Sequence, residues 1–214
     1  EAAKHSWEEL DWLDTLASEQ ESQRKELAEF AIAETPMHAS YVHQSVAQQL
    51  TDDDILVFDG GDFCHFGRAF YQSNSHNSWW YLPTLGMLGQ AIPTAIAAKI
   101  AHPERRVIVF TGDGAFGFNG MEYDTAVRHH IPIVGIMGND SAWGIDRQIQ
   151  LGVFGKPVAT DLLPSRYDQV VRALGGHGEL VEHPSELQDA LKRAFQIERP
   201  SLLNVRIRNE ISPR

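Results

Sequence analysis

The chain of 214 residues contains a single cysteine, Cys64, which excludes an internal disulfide and fits a reducing, cytoplasmic setting. Cys64 reads as a small buried hydrophobe rather than a nucleophile. Basic residues are also scarce: 18 Lys and Arg stand against 29 Asp and Glu, the net charge is −11, and the longest basic cluster is the pair Arg105-Arg106. Nucleic acid is therefore not an expected partner. No apolar run approaches the roughly 20 residues of a membrane span, and no basic segment followed by an apolar one opens the chain, so a membrane is not an expected partner either. No serine or cysteine occupies a nucleophile elbow and no P-loop lysine pattern occurs, which removes hydrolases and nucleotide kinases. Of the ten histidines, the His129-His130 pair lacks a metal-ligand partner at useful spacing and is not read as zinc-binding.

What is present is the composition of an ordinary globular domain, with 43% hydrophobic and 22% charged residues. The length suits one large domain, or a domain with a helical arm. Trp7, Leu10, Leu13 and Leu16, then Leu27 and Phe30, recur at helical spacing amid Glu and Gln, so residues 1–35 are expected to form an arm or linker helix and residues 36–214 the domain proper. The chain opens Glu-Ala-Ala rather than with Met, as expected of a fragment of a larger enzyme.

After Pro36 a helix is predicted over residues 38–50, with Tyr41, Val42, Val46 and Leu50 on one face. From there the pattern alternates. Short apolar strands are predicted at 55–58, 106–110, 133–137, near Leu180 and at 201–207, and helices at 93–100, after the 112–114 turn, at 165–174 and at 185–196. That alternation predicts an α/β fold, a mostly parallel sheet with helices on both faces. Ligands of such sheets bind beyond the carboxyl ends of the strands. Three strand ends carry polar or glycine-rich turns: Asp59-Gly60-Gly61-Asp62, Gly112-Asp113-Gly114 and Gly138-Asn139-Asp140.

The turn after Phe110, Gly112-Asp113-Gly114-Ala115-Phe116-Gly117, formally matches the dinucleotide fingerprint G-x-G-x-x-G, and Asp140 lies 23 residues past Gly117. Electrostatics argues against that match. Asp113 would set a carboxylate beside a pyrophosphate, a repulsion on the order of 1 to 4 kcal/mol at ~4 Å. A divalent cation reverses the sign, because Mg²⁺ takes hard oxygen ligands and bridges carboxylates to phosphate oxygens. Asp113 and the acid or amide of Asn139-Asp140 can supply those ligands, while backbone N–H groups from Gly114 to Phe116 face the phosphate.

Gly-Asp-Gly followed by an Asn-Asn-like pair, here with 24 residues between Gly114 and Asn139, resembles the signature of thiamine diphosphate-dependent enzymes. The resemblance runs from about residue 35 onward and implies their diphosphate-binding, C-terminal domain, with thiamine diphosphate and Mg²⁺ as cofactors. It implies metal ligation by Asp113, by Asp140 in place of the usual second Asn, with Asn139 able to share or replace that role, and by the backbone oxygen of Ala142. Gly60, Gly61 and the Gly112–Phe116 turn, Ala115 included, would lie against the cofactor. The segment Leu85-Gly86-Met87-Leu88-Gly89 looks like the family's loop that props the cofactor in its bent shape. Leu88 is then the wedge, with Met87 the lesser candidate, and Gly86 supplies the carbonyl that accepts from the 4′-amino group.

The run from Ala115 to Glu122 closely resembles that of 2-hydroxyacyl-CoA lyases and oxalyl-CoA decarboxylases, whereas Trp143-Gly144 is similar to benzaldehyde lyase and acetolactate synthase-like enzymes. The expected activity is a 2-hydroxyacyl-CoA lyase, releasing an aldehyde or ketone and formyl-CoA from an acyl-CoA substrate. An acetolactate synthase-like or oxalyl-CoA decarboxylase-like enzyme is the alternative, and a non-catalytic regulatory module that keeps the cofactor fold is the alternative of another class. Trp143, Ile145 and Asp146 would face the substrate. His65 could touch cofactor or substrate, or serve as a hydrogen-bonded structural residue, and Glu122 is read as a structural or near-site residue. The glutamate that activates the cofactor in this family is not matched in the chain. The resemblance therefore also implies partners: the remaining N-terminal and middle domains, and a homodimer or homotetramer.

Overall fold

The computed structural model describes residues 11–73, 75–81 and 85–212. In chain order they form α1 (Asp11–Glu29), α2 (Ala39–Ala47), β1 (Ile55–Phe58), α3 (Asp62–Gly67), β2 (Trp79–Trp80), α4 (Ala91–Ala101), β3 (Val107–Gly112) and α5 (Asp113–Asn119). There follow α6 (Glu122–Arg128), β4 (Val134–Asn139), α7 (Gly144–Phe154), α8 (Tyr167–Ala173), β5 (His177–Val181), α9 (Pro184–Gln196) and β6 (Ser201–Arg206). The strands pair in the order β2-β1-β3-β4-β6-β5, every pair parallel. The α/β expectation is met.

The strands are apolar along their whole length because both faces are covered, and alternate residues feed two cores. Leu56 and Phe58 of β1, Ile108 and Phe110 of β3 and Leu203 and Val205 of β6 pack under α2, α3 and α9. Ile55 and Val57, Val107 and Val109, Met137 and Leu202 pack under α4, α6 and α8. Pro184 opens α9 at the first helical turn, where its missing N–H costs nothing, and Glu186 returns to the backbone N–H of His183 as a capping box.

Trp7 and Leu10 lie outside the described residues. Within α1, Leu27 is buried in the first core, whereas Trp12, Leu13 and Leu16 are about half exposed. Arg24 ties the helix down by donating to the Ala69 carbonyl at 3.1 Å.

The structure adds elements that the sequence pattern did not indicate. β2 is a two-residue edge strand in a polar stretch, held by Trp79 against Phe58 with ring centroids 4.5 Å apart. The predicted motif helix is broken into α5 and α6 at Gly120, where a side chain would meet the Phe116 ring at 2.3 Å. α7 buries none of its residues and ends on the left-handed Gly155. β3 and β4 each run two residues beyond the predicted ends, carrying Gly112 and Asn139 to the rim of the sheet.

Candidate cofactor and metal site

Where β1, β3 and β4 end, their turns enclose a cavity of about 260 Å³. The turn after β1 contributes Gly60, Gly61, Asp62 and His65, and the loop before α4 contributes Gly86 and Leu88. Gly112, Asp113, Gly114 and Ala115 form the floor. Asp140, Ala142 and the start of α7, Trp143 to Asp146, form the opposite wall. Met87 is 60% exposed and does not line the cavity, so of the two wedge candidates only Leu88 faces it. Phe116 points into the second core, against Tyr123 and Tyr167, leaving only its backbone near the turn.

Strand alternation separates Asn139 from Asp140. The Asn139 amide is turned away from the cavity, donating to Asn204 Oδ1 at 2.9 Å and the Ser165 carbonyl at 3.3 Å, and its Oδ1 accepts from the Ser141 N–H. Its backbone carbonyl accepts from Ile207. Asp140 faces the opposite way, onto Asp113. Ala142 pairs with Asp161 in an antiparallel bridge flanked by Trp143 N–H to the Thr160 carbonyl and Leu162 N–H to the Ser141 carbonyl. Such a pair directs the N–H and C=O of Ala142 away from Asp161. The N–H meets Asp140 Oδ1 at 3.2 Å, so the carbonyl lies on the carboxylate side.

The two acids are in tension. Asp113 is 1% exposed, and among the described residues no donor meets its Oδ2. Burial, then the neighbouring Asp140 charge, pushes the Asp113 carboxyl up to about 7. Burial likewise raises Asp140, partly offset by the N–H groups of Asn209 and Ala142. The pair thus retains a proton near neutral pH, and a cation between the acids would displace it. Among the described residues no three His, Cys, Asp or Glu side chains converge on a metal position. That excludes a closed zinc-type cage there, but suits an ion that completes its shell with backbone, phosphate and water oxygens.

Contacts between distant parts of the chain hold the site together. Asp59, fully buried, accepts from the N–H groups of Gly60 (2.9 Å), Gly89 (2.9 Å) and Ala91 (3.3 Å), pinning the Leu88 loop to the end of β1. Gly89 itself has φ +83°, and a side chain there would meet Phe118 Cβ at 2.5 Å. His43, fully buried and pushed down to about 3 by desolvation, bridges Tyr71 at 2.8 Å and the Phe63 carbonyl at 2.7 Å, supporting α3 beneath Asp62 and His65. The Tyr81 hydroxyl meets His65 Nδ1 at 3.2 Å, so this cavity-lining imidazole is held by a hydrogen bond. Trp143 lies flat enough on Gly114 that a side chain there would meet the indole at 2.9 Å.

Other singled-out residues fall elsewhere. Glu122 accepts from Thr125 at 2.7 Å and does not line the cavity. Cys64 is fully buried, and desolvation holds its thiol well above the usual range, which keeps it inert. No helix among the described residues is long and apolar enough to cross a membrane.

The family model described as thiamine pyrophosphate enzyme, C-terminal TPP binding domain, matches residues 59–205. The chain is 41% identical over 196 residues to the acetolactate synthase large subunit IlvG of Mycobacterium tuberculosis, covering 91% of this chain and 36% of that protein. It is 33% identical over 214 residues to 2-hydroxyacyl-CoA lyase 2 of Caenorhabditis elegans, covering 96% and 33%. The chain thus spans about a third of the length of these relatives. A solved thiamine diphosphate-dependent 4-hydroxybenzoylformate decarboxylase from Rhodococcus jostii RHA1 superposes with a TM-score of 0.78 at 23% identity, covering 84% of this chain and 34% of that one. That likeness speaks for the fold.

Proposed function

The chain belongs to the thiamine pyrophosphate enzymes, as their C-terminal TPP-binding domain, and from that premise we propose that it is the cofactor-holding part of a larger enzyme that cleaves or forms a C–C bond next to a carbonyl. The observation that carries this reading is the facing pair Asp113–Asp140 beside a glycine turn, with Asp113 buried and its Oδ2 without a donor among the described residues. Asp113, Asp140 and the Ala142 carbonyl would hold Mg²⁺, and Asn139 would act behind them by fixing the loop through its own hydrogen bonds. A diphosphate would lie along Gly112 to Ala115, where Gly112 leaves open space above its Cα and the N–H groups that open α5 face outward.

The bound thiamine group supplies a nucleophile for a substrate carbonyl and an electron sink for the severed C–C bond. The residues of the chain orient and enclose it. Leu88 and Gly86 would hold the cofactor in place, Trp143 and Ile145 would wall off water on the α7 side, and His65 would present an imidazole to the cavity. The exposed apolar rim of Leu85, Met87, Phe118 and Met121 would be covered by a domain of a second subunit, which would also bring the activating glutamate.

For substrate, the Ala115–Glu122 run supports a 2-hydroxyacyl-CoA, cleaved to formyl-CoA and an aldehyde or ketone. The 41% identity to an acetolactate synthase subunit favours a second reading, carboligation of a 2-oxo acid. Incubating the full-length enzyme separately with a 2-hydroxyacyl-CoA and with a 2-oxo acid decides between them. Formyl-CoA and aldehyde from the first support the lyase, and acetolactate from the second with no C–C cleavage of the 2-hydroxyacyl-CoA rejects it.

Leu88→Ala should lower turnover about ten- to hundredfold while shifting cofactor affinity far less, since the side chain props geometry without meeting the diphosphate. Equal losses in both would mark the loop as packing only. The proton held on Asp113 sets a pH dependence as well. Its folded value lies above the unfolded one, so protons stabilise the metal-free fold and compete with the ion. Mg²⁺ affinity should fall about tenfold per pH unit below pH 7 and level off above it. A flat titration from pH 5.5 to 8 would remove Asp113 from the ligand set.

A further inference from the structure

Beyond β6 the chain runs on in the same direction, parallel to Met37 and past the end of β4. Ile207 N–H donates to the Asn139 carbonyl at 3.1 Å, and this register brings Asn209 alongside Asp140 and Ser212 alongside Asp62. Asn209 Nδ2 donates to Asp140 Oδ2 at 2.6 Å, and its Oδ1 accepts from Gln148 Nε2 of α7 at 2.8 Å. Only Gly144 fits between these groups: a side chain there would meet Asp140 Oδ2 at 2.9 Å, Asn209 Nδ2 at 3.1 Å and Asp62 Oδ2 at 3.4 Å.

The direction of this chain is fixed by chemistry. An ionised carboxylate accepts only, so the Asn209 atom against Asp140 must be the amide nitrogen. The oxygen of Asn209 then faces α7, and Gln148 must donate to it. The other Asp140 oxygen accepts from the Ala142 N–H at the longer distance of 3.2 Å. Asn209 therefore sets which way the Asp140 carboxylate presents its remaining lone pairs.

We propose that Asn209 is a positioning residue of the metal site: through the directed chain Gln148–Asn209–Asp140 it holds the Asp140 carboxylate toward Asp113 and makes the site require an acid, not an amide, at position 140. The inference rests on the metal reading given above. It also ties α7, whose Trp143, Ile145 and Asp146 face the cavity and which buries no residue of its own, to the state of the metal ligand.

The test is a Mg²⁺ titration of the full-length enzyme at saturating thiamine diphosphate, followed by calorimetry, with the melting temperature of the metal-free protein as a second readout. Asn209→Leu should raise the half-saturating Mg²⁺ concentration roughly tenfold, the value of one charge-assisted hydrogen bond, with the melting temperature unchanged. Asn209→Asp and Asp140→Asn should each raise it further, because each breaks the direction of the chain. The double variant Asn209→Asp/Asp140→Asn again sets a donor against an acceptor at that contact, with position 140 now donating, and should bind Mg²⁺ better than either single variant, which a merely structural role would not produce. Gln148→Glu, on the surface helix α7, should weaken Mg²⁺ binding by reversing Asn209 and carries the test if an Asn209 variant does not fold. Normal Mg²⁺ titrations for Asn209→Leu and Gln148→Glu, or a double variant no better than its worse parent, would overturn the proposal. Asp113→Ala separates the two levels: loss of Mg²⁺ dependence there with normal Asn209 variants sinks only the positioning role, whereas retained dependence sinks the metal reading itself.

Discussion

Asp113→Ala should abolish Mg²⁺-dependent binding of thiamine diphosphate, weakening it by a hundredfold or more, while the fold stays intact. Two observations set the size and the selectivity of that effect. The carboxylate stands on the cavity floor with Oδ2 lacking a hydrogen-bond donor among the described residues, so it contributes little to local stability. Its removal takes away the acid that faces Asp140, so an ion that favours two carboxylates would lose a direct ligand. Two orders of magnitude in affinity correspond to about 2.8 kcal/mol, within what one charge-assisted contact in a desolvated site provides. The melting temperature of the metal-free protein should hold or rise, because a buried acid pushed up to about 7 burdens the metal-free fold increasingly as pH rises above the ordinary carboxylate range, and fully above about 7. A large drop in melting temperature with unchanged cofactor affinity would assign Asp113 to the fold instead.

Asp59→Ala should act in the opposite manner, on stability and geometry together. The Asp59 carboxylate gathers the N–H groups of Gly60, Gly89 and Ala91 at the end of β1, and alanine would strand them in a buried position. Stranded donors cost about 1 to 3 kcal/mol each, so a destabilisation of about 3 to 5 kcal/mol is expected, read by denaturant or thermal unfolding. The Leu88 loop would lose its anchor, so turnover should fall even where the protein remains folded. Asp59→Asn keeps one acceptor oxygen but sets an amide against the remaining N–H groups, and should fall between the two. Wild-type stability for Asp59→Ala would mean that the loop is held by Gly89 and Phe118 alone.

The contrast between Asp113 and Asp59 shows what was legible in the sequence. Gly112-Asp113-Gly114 declares itself because strand, turn and helix follow one another within a few residues, and the charge argument needs no tertiary knowledge. Asp59 sits in an equally suggestive turn, yet its role depends on a loop 30 residues away. The choice between Asn139 and Asp140 was open because both are oxygen donors. Strand alternation at the end of β4, and the presence of Asn204 and Ser165 on one side only, set their directions. Asn209 and Ser212 gave no signal at all, since their partners lie 69 and 150 residues earlier in the chain. α7 could have been found from Ile145, Ile149 and Val153 at intervals of four and from Gly155 just past its end, but Gly144 and Gly152 obscured that pattern.

The measurement that bears most directly on the whole account is calorimetric titration of the full-length enzyme with thiamine diphosphate, first with Mg²⁺, then with EDTA, and with NAD⁺ as competitor. The facing acids Asp113 and Asp140 predict binding that requires the metal, vanishes in EDTA and ignores NAD⁺. Binding of NAD⁺ without metal, with no response to thiamine diphosphate, would mean that Asp113 tolerates a bare pyrophosphate and would contradict the metal-centred reading of this site.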